Sequence, residues 1–336
     1  MYKVKVENLM QLDIAISSNV VSEIILARDS FNEKDLPLYV DKIKTNGKKA
    51  WIMLERISRF EEDMKYTYKI NNATNNKTKQ AKNQKHLKEI DFRISTDKLY
   101  DISNLDGIIV QNLDSFAYML RKINKTANDK LMVELNYTMN CYNSETKKLY
   151  ENLYNTKRNN ASKVPLLFTA PVELNIYELK DVGYDTMLLY SYIDTMVSAN
   201  CIRKNTMTKI NDRQSNKILN KVQNTNIVAK HSENALCKHR FDFNNVADYA
   251  SYIIDRKGKR LYFKTYCKYC YNKIFNTEPL FLLDKTNDII KQNINKNNSV
   301  SFRIDFSFES EKDVLNILKG KCPESFTRGH FKNSIK

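Results

Sequence analysis

Eight short apolar runs recur along an otherwise polar chain: "VKV" (4–6), "IILA" (24–27), "WIML" (51–54), "IIV" (108–110), "LMVEL" (131–135), "PLLF" (165–168), "MLLY" (187–190) and "FRIDF" (302–306). Several are apolar at nearly every position, as parallel strands buried on both faces should be. The stretches between them carry apolar residues at helical spacing: Leu9, Leu12 and Ile16; Leu38, Val40 and Ile43; Phe116, Met119, Leu120 and Ile123. A further helix is expected over "SETKKLYENLY", with Ser144 as its N-cap. Strand followed by helix, eight times over, predicts an α/β chain folded as a TIM-like (β/α)8 barrel. A doubly wound sheet is the alternative. No G-x-G-x-x-G follows the first strand, so a dinucleotide-binding fold has no support.

Two stretches break the rhythm. Residues 69–88, "KINNATNNKTKQAKNQKHLK", hold six lysines and no acid, and read as a mobile basic insertion extending to about residue 92. Residues 201–280 are far too long for an ordinary loop between the seventh and eighth strands. Within them, 202–236 is polar, and "YIIDRKGKRLYFK" (252–264) predicts a β-hairpin turning at Lys257-Gly258. The expected organisation is therefore strands one to seven in 1–200, a cysteine-containing insertion over the barrel mouth in 201–280, and the last strand with a carboxyl-terminal segment in 281–336.

Composition adds a partner class. The 336 residues are 42% apolar, enough for a full core, and six glycines and five prolines are too few for a turn-rich sandwich. A net charge of +16, from 55 basic and 39 acidic residues, suits a polyanion such as nucleic acid. The competing explanation is a general richness in lysine and asparagine, which raises the isoelectric point by itself. "MYKVKVENLMQLD" lacks the apolar core of a secretory signal, and no run of about 18 apolar residues offers a membrane span. The expectation is a cytoplasmic protein, in which cysteines bind metal or do chemistry more often than they pair.

Four of the six cysteines, Cys201, Cys237, Cys267 and Cys270, fall in the long insertion. Cys267-x-x-Cys270 is a spacing at which two thiolates reach one metal ion, though it also serves as a redox couple. With Cys201 and Cys237 it would make four thiolates, suited to zinc or to an iron–sulfur cluster. The alternative is buried, unrelated thiols. Cys141 and Cys322 read as packing residues. There is no H-E-x-x-H, G-x-S-x-G or G-x-x-x-x-G-K-[ST] motif, so the commonest zinc-protease, serine-hydrolase and P-loop sites are unsupported. Polar residues near strand ends supply the catalytic candidates: Glu134, Asn136, Glu173, and Arg303 with Asp305, which alternate onto one face of "SFRIDFSF". Aromatic and basic residues interleave in "RKGKRLYFKTYCKYCYNK", a pattern that stacks bases and holds phosphates, or else a hairpin with one packed face and one solvated lysine face.

Taken in order, "TMVSANCIRKNT" (195–206), "DRKGKRLYF" (255–263), "YCKYCYNKIFN" (266–276), "SFRIDFSFES" (301–310) and "FTRGHF" (326–331) resemble the collagenase-like peptidases, family 32 of the peptidase class of unassigned catalytic type. "VELNYTMNCYNSET" (133–146) and "FTAPVELNIYEL" (168–179) resemble its middle strands, so the likeness covers most of the chain. It implies a TIM-like barrel. It also implies a four-iron four-sulfur cluster on four cysteines, here Cys201, Cys237, Cys267 and Cys270, although the family's cysteine shortly after "IRKNT" is missing at that place. Members of this group are similar to enzymes that hydroxylate a pyrimidine of tRNA or ribosomal RNA, with prephenate implicated as co-substrate; others carry the peptidase label. The resemblance thus implies an RNA-modifying enzyme with Arg256, Lys257, Lys259, Arg260, Arg328 and His330 toward RNA. The alternatives are a peptidase acting on protein, or an accessory protein braced by a structural metal.

Overall fold

A computed structural model of the chain describes residues 1–57, 104–122, 130–157, 164–199, 248–292 and 300–332. All eight apolar runs become strands: β1 (Tyr2–Val6), β2 (Val21–Ala27), β3 (Lys49–Met53), β4 (Gly107–Val110), β5 (Met132–Leu135), β6 (Leu166–Phe168), β7 (Thr186–Ser191) and, late in the chain, β13 (Ser301–Asp305). Between β7 and β13 lie β8 (Asp194–Ser198), β9 (Asp248–Ile254), β10 (Arg260–Tyr266), β11 (Tyr271–Phe275) and β12 (Leu280–Phe281). The helices are α1 (Leu9–Ser17), α2 (Leu36–Thr45), α3 (Leu113–Lys122), α4 (Ser144–Lys157), α5 (Ile176–Val182), α6 (Thr286–Gln292) and α7 (Glu311–Leu318). Among the described residues no helix is long and apolar enough to cross a membrane.

Local chemistry sets the helix starts. Asn8 accepts from the Gln11 N–H at 2.9 Å to open α1, and Asn175 with Glu178 forms a reciprocal capping box on α5. Helix α4 is capped one residue earlier than expected: the Asn143 side chain, not that of Ser144, accepts from Thr146 N–H at 2.8 Å. In α2 the buried face is Leu36, Val40 and Ile43, while Leu38 is 66% exposed. The apolar helix faces pack with Val4, Val6, Ile24, Leu26, Ile52, Ile108, Val133 and Ile304 into one large core.

The opposite face of the strands turns inward on itself. In the strand order β12-β7-β13-β1-β2-β3-β4-β5-β6, strands β1 and β5 are four steps apart, which is roughly 19 Å in a flat sheet. Yet Lys3 of β1 donates to Glu134 of β5 at 2.7 Å, so the sheet is strongly curled. One side of the enclosed space is apolar, from Ile25, Trp51, Met53 and Ile109; the other is charged. Trp51 fits because position 107 is glycine: a Cβ there would stand 2.3 Å from the indole ring.

The expected eight-stranded (β/α)8 barrel is not the architecture formed. The main sheet has nine strands and is mixed, because β12 runs antiparallel against β7, and it closes only partway. Between β6 and β7 there is a single bridge, Thr169 to Thr186. Two local features account for this. The ladder beyond Ala170, whose N–H reaches Thr186 O at 2.8 Å, meets Pro171, which has no N–H to give. The carboxyl half of β7 has its edge taken by β12, through Leu280 opposite Ser191 and Phe281 opposite Tyr190. The result is a half-barrel. The segment expected to be an insertion, 201–280, contributes β9, β10 and β11 of a second, four-stranded antiparallel sheet, β8-β11-β10-β9, whose edge strand β8 comes from just before it.

The expected β9–β10 hairpin forms, with Ile254 opposite Arg260 and a turn in which Gly258 takes a left-handed φ of 79°. The basic insertion at 69–92, the polar stretch 202–236, and Cys201, Cys237, His86, His231 and His239 lie outside the described residues.

Candidate functional site

The carboxyl ends of the parallel strands meet the antiparallel sheet, and the groups brought together there are charged. Strand β13 begins the construction. Its alternation sends Ile304 and Phe306 to the helix-side core and Arg303 and Asp305 inward. Arg303 Nε and Nη2 donate to the two oxygens of Asp305, both at 2.8 Å, a bidentate pair. Arg303 Nη2 also donates to Asn136 Oδ1 at 2.8 Å, and Nη1 to Thr169 Oγ1 at 3.2 Å. Thr169 in turn donates to Glu134 at 2.6 Å. Burial disfavours the charge of Glu134, but Lys3 and Arg303 overcome it and hold its carboxyl below the usual range. Four of the five catalytic candidates, Glu134, Asn136, Arg303 and Asp305, therefore form one buried lattice. Glu173 stays apart, beside Tyr142, whose hydroxyl burial and the Glu173 charge push up. In this lattice the carboxylates are held by cations, which makes them electrostatic anchors and not free bases.

Above the lattice sits the inner face of β10 and β11. Lys264 lies directly opposite Lys273, and Tyr266 opposite Tyr271. The two tyrosine rings stack at 5.1 Å. Like charges directly opposed in a ladder repel, and both lysines are only 6% exposed. They are tolerated because two carboxylates from the strand ends rise to meet them. Glu7, after β1, accepts from Lys264 at 2.6 Å, from Lys5 at 2.5 Å and from the Tyr266 hydroxyl at 3.1 Å. Asp29, after β2, lies 3.6 Å from Lys273 and accepts from the Tyr271 hydroxyl. Burial raises the pKa of Glu7, yet Lys264, Lys5 and Lys273 together hold it far below the ordinary value.

The turn between β10 and β11 is "CKYC". The Cys270 N–H donates to Cys267 O at 3.3 Å, closing a β-turn, which holds the two Cα atoms within about 7 Å. Cys270 has a φ of 54°, a left-handed conformation that costs a non-glycine residue about 1 kcal/mol. The two central residues hold it there. Lys268 Nζ donates to Arg28 O at 2.9 Å and Phe31 O at 3.1 Å and lies 3.3 Å from Glu33. The Tyr269 hydroxyl donates to Glu33 at 3.3 Å. Glu33 and Glu55 both pair with Arg28, at 2.8 and 3.2 Å. Burial lowers the Lys268 pKa to about 8, against the opposing pull of Glu33.

Among the described residues no three His, Cys, Asp or Glu side chains gather as a metal site. Cys267 and Cys270 fit two ligands of such a site; Cys201 and Cys237, the other two expected, lie outside the described residues. Cys141 packs in the core, its thiol pushed up to about 11 by burial, and Cys322 is exposed. Arg256, Lys257, Lys259 and Arg260 are exposed at the β9–β10 turn, with Arg260 over the Tyr252 ring at 4.7 Å. Arg328 is engaged elsewhere, forked onto Asp284 and donating to Phe281 O at 2.7 Å; His330 lines a small cleft beside it.

The hairpin's solvated lysine face, one of its two sequence readings, is inverted: Lys264, Lys268 and Lys273 point into the molecule. Sequence reasoning also passed over Glu7, Asp29 and Lys5. The available signal was the alternation "YKVKVE", in which lysines occupy every second place of a strand expected to be buried on both faces.

No family model matches the chain, and no curated protein matches it. Among solved structures, one described as "Crystal structure of an uncharacterized B. cereus protein" is similar to 58% of this chain and 49% of its own, at 11% identity and a TM-score of 0.32. The chain thus spans about half the length of that protein, and the likeness is too slight to carry an argument.

Proposed function

We propose that the chain is a collagenase-like peptidase-family protein that acts on RNA as an iron–sulfur-dependent modifying enzyme, hydroxylating a pyrimidine. The observation that carries this reading is the clamped C-x-x-C turn. Two cysteines are held at the ends of one β-turn, one in a left-handed conformation, and the turn is fastened to the ends of β2 and β3 through Arg28, Phe31, Glu33 and Glu55. Strain kept in place by surrounding contacts is characteristic of ligand clamps. Cys201 and Cys237 would complete a four-thiolate set, and the bound cluster would supply one-electron chemistry. The same antiparallel sheet presents Arg256, Lys257, Lys259, Arg260 and Tyr252 outward at its β9–β10 end, which suits phosphate contacts and base stacking. The peptidase reading gains less, because the carboxylates of the Arg303 lattice are occupied by cations.

Anaerobic purification with iron, sulfide and zinc analysis tests the cluster. Four irons and four sulfides per chain with a broad brown absorbance are expected. Stoichiometric zinc without colour would remove it. Mapping RNA modifications in a deletion strain tests the reaction: loss of one hydroxylated pyrimidine is expected, and an unchanged RNA alongside peptide cleavage by the purified protein would transfer the assignment to a peptidase.

A further inference from the structure

A second site lies at the carboxyl ends of β7 and β13. A cavity of about 530 Å³ opens between these strand ends, β10, and helix α7 with the chain that follows it. Sites for small ligands span about 300–1,000 Å³. None of its lining residues belongs to the Arg303 lattice or to the C-x-x-C turn. Its wall is aromatic. Tyr192, Tyr262 and Phe308 pack with ring centroids 5.5 to 5.9 Å apart, and each ring residue stays partly exposed. The exposed charges of the lining cancel, Lys312 and Lys321 against Asp313 and Glu324. The buried Glu309 carboxyl is engaged by the Ser307 N–H and the Tyr190 hydroxyl. A neutral, flat group therefore suits this space better than an ion of either sign.

The aromatic wall continues beyond the cavity. Tyr262 lies directly opposite Tyr252 in the β9–β10 ladder, so the two share one face of the sheet. Tyr252 is 45% exposed, and Arg260, two residues from Tyr262 and on the same face, lies over its ring at 4.7 Å. The exposed Arg256, Lys257 and Lys259 follow at the turn. We propose that the cavity takes one unpaired base of single-stranded RNA, stacked on Tyr262, with the next nucleotide against Tyr252 and Arg260 and its phosphates toward the turn. Stacking needs only a ring face and accepts any base, while cations beside it track the backbone. A base edge also needs polar partners. Asn316 on α7 lines the cavity, and its side chain makes no hydrogen bond among the described residues, which leaves an amide donor and a carbonyl acceptor for that edge. The assignment rests on the RNA part of the proposed function and not on the cluster.

Cys322 lines the same cavity and is exposed, which provides a reporter in the native chain. The experiment follows iodoacetamide alkylation of Cys322 by peptide mass spectrometry in the presence of hexauridylate or hexacytidylate. A hexamer of the same sugar-phosphate backbone without bases is the control, and anisotropy of a labelled hexauridylate reports binding to the chain as a whole. A base-bearing hexamer should protect Cys322 and the base-less one should not. Tyr262→Leu should raise the concentration needed for half protection about tenfold, the scale of one stacked base. If that variant does not fold, Asn316→Ala, at a half-exposed helix position, carries the test and should also weaken protection. Binding without protection, equal protection by the base-less backbone, or protection unchanged in the folded variant would each overturn the cavity assignment and leave the RNA reading standing. No binding by anisotropy would overturn both.

Discussion

Lys264 and Lys273 stand directly opposite each other in the β10–β11 ladder, both buried, and each is matched by a carboxylate from a different parallel strand end, Glu7 for the first and Asp29 for the second. The pairing welds the antiparallel sheet to the half-barrel. Removing one carboxylate leaves buried ammoniums uncompensated, which costs about 3–5 kcal/mol. Glu7→Ala should therefore lower the urea midpoint sharply. Adding Lys264→Met to it should restore part of the loss, since the stranded charge goes with it. Equal midpoints for the single and double variants would show that the two residues are not coupled.

The same groups set the acid limit of the fold. Glu7 and Glu134 have folded pKa values below the ordinary 4.5, so the unfolded chain takes up their protons first as pH falls. Their contribution is fully present above about pH 4.5 and drains away below it. Glu309 has the opposite sign, because burial raises its pKa and it favours the folded state in its protonated form. Urea midpoints should fall steeply from pH 4.5 to pH 3, and the Glu7→Gln variant should show a shallower slope over that window.

Gly107 is required by Trp51, not by its own backbone. A methyl group there would stand 2.3 Å from the ring, and overpacking of this kind costs about 1–3 kcal/mol. Gly107→Ala should destabilise the chain and shift the emission of its single tryptophan. Trp51→Leu combined with Gly107→Ala should show less than the summed loss.

Arg303 uses its fork on Asp305, Asn136 and Thr169. Lysine cannot reproduce that planar set of donors. Arg303→Lys should lower the thermal midpoint nearly as far as Arg303→Met, and a midpoint close to that of the native chain would show that charge alone suffices.

Charge reversal at the β9–β10 turn tests the RNA surface without touching the core. Glutamate at Arg256, Lys257, Lys259 and Arg260, all exposed, should change the unfolding free energy by no more than about 0.5 kcal/mol per site. The slope of log affinity for single-stranded RNA against log salt should shrink by about 3 if all four residues neutralise phosphates. An unchanged slope would place the RNA elsewhere.

Much of the fold was legible along the chain. Each of the eight apolar runs is a strand, and the turn at Lys257-Gly258 is where it was expected, because strand burial and turn chemistry act within a few residues. Helix faces were legible less well. The spacing of Leu38, Val40 and Ile43 suggests one face of α2, but residues two positions apart point to different sides of a helix, and Leu36, Val40 and Ile43 form the buried stripe. The candidates Glu134, Asn136, Arg303 and Asp305 were named from strand position alone, and the structure gathers them. Their consequence was not legible: a charged residue near a strand end looks the same whether it waits for a substrate or is locked by a neighbour far away in sequence.

What the sequence determined by itself is therefore the set of parallel strands, their order along the chain and the C-x-x-C turn with its basic hairpin, all products of local periodicity and local backbone preference. What only the tertiary structure decided is closure and pairing. Whether the sheet closes depends on competition for one edge of β7, which β12 wins over most of its carboxyl half while Pro171 withholds a donor from β6. Which lysines are buried depends on whether carboxylates from strands more than two hundred residues away arrive opposite them, as Glu7 does for Lys264 and Asp29 for Lys273. Both outcomes are settled by contacts between distant segments, and no local pattern encodes them.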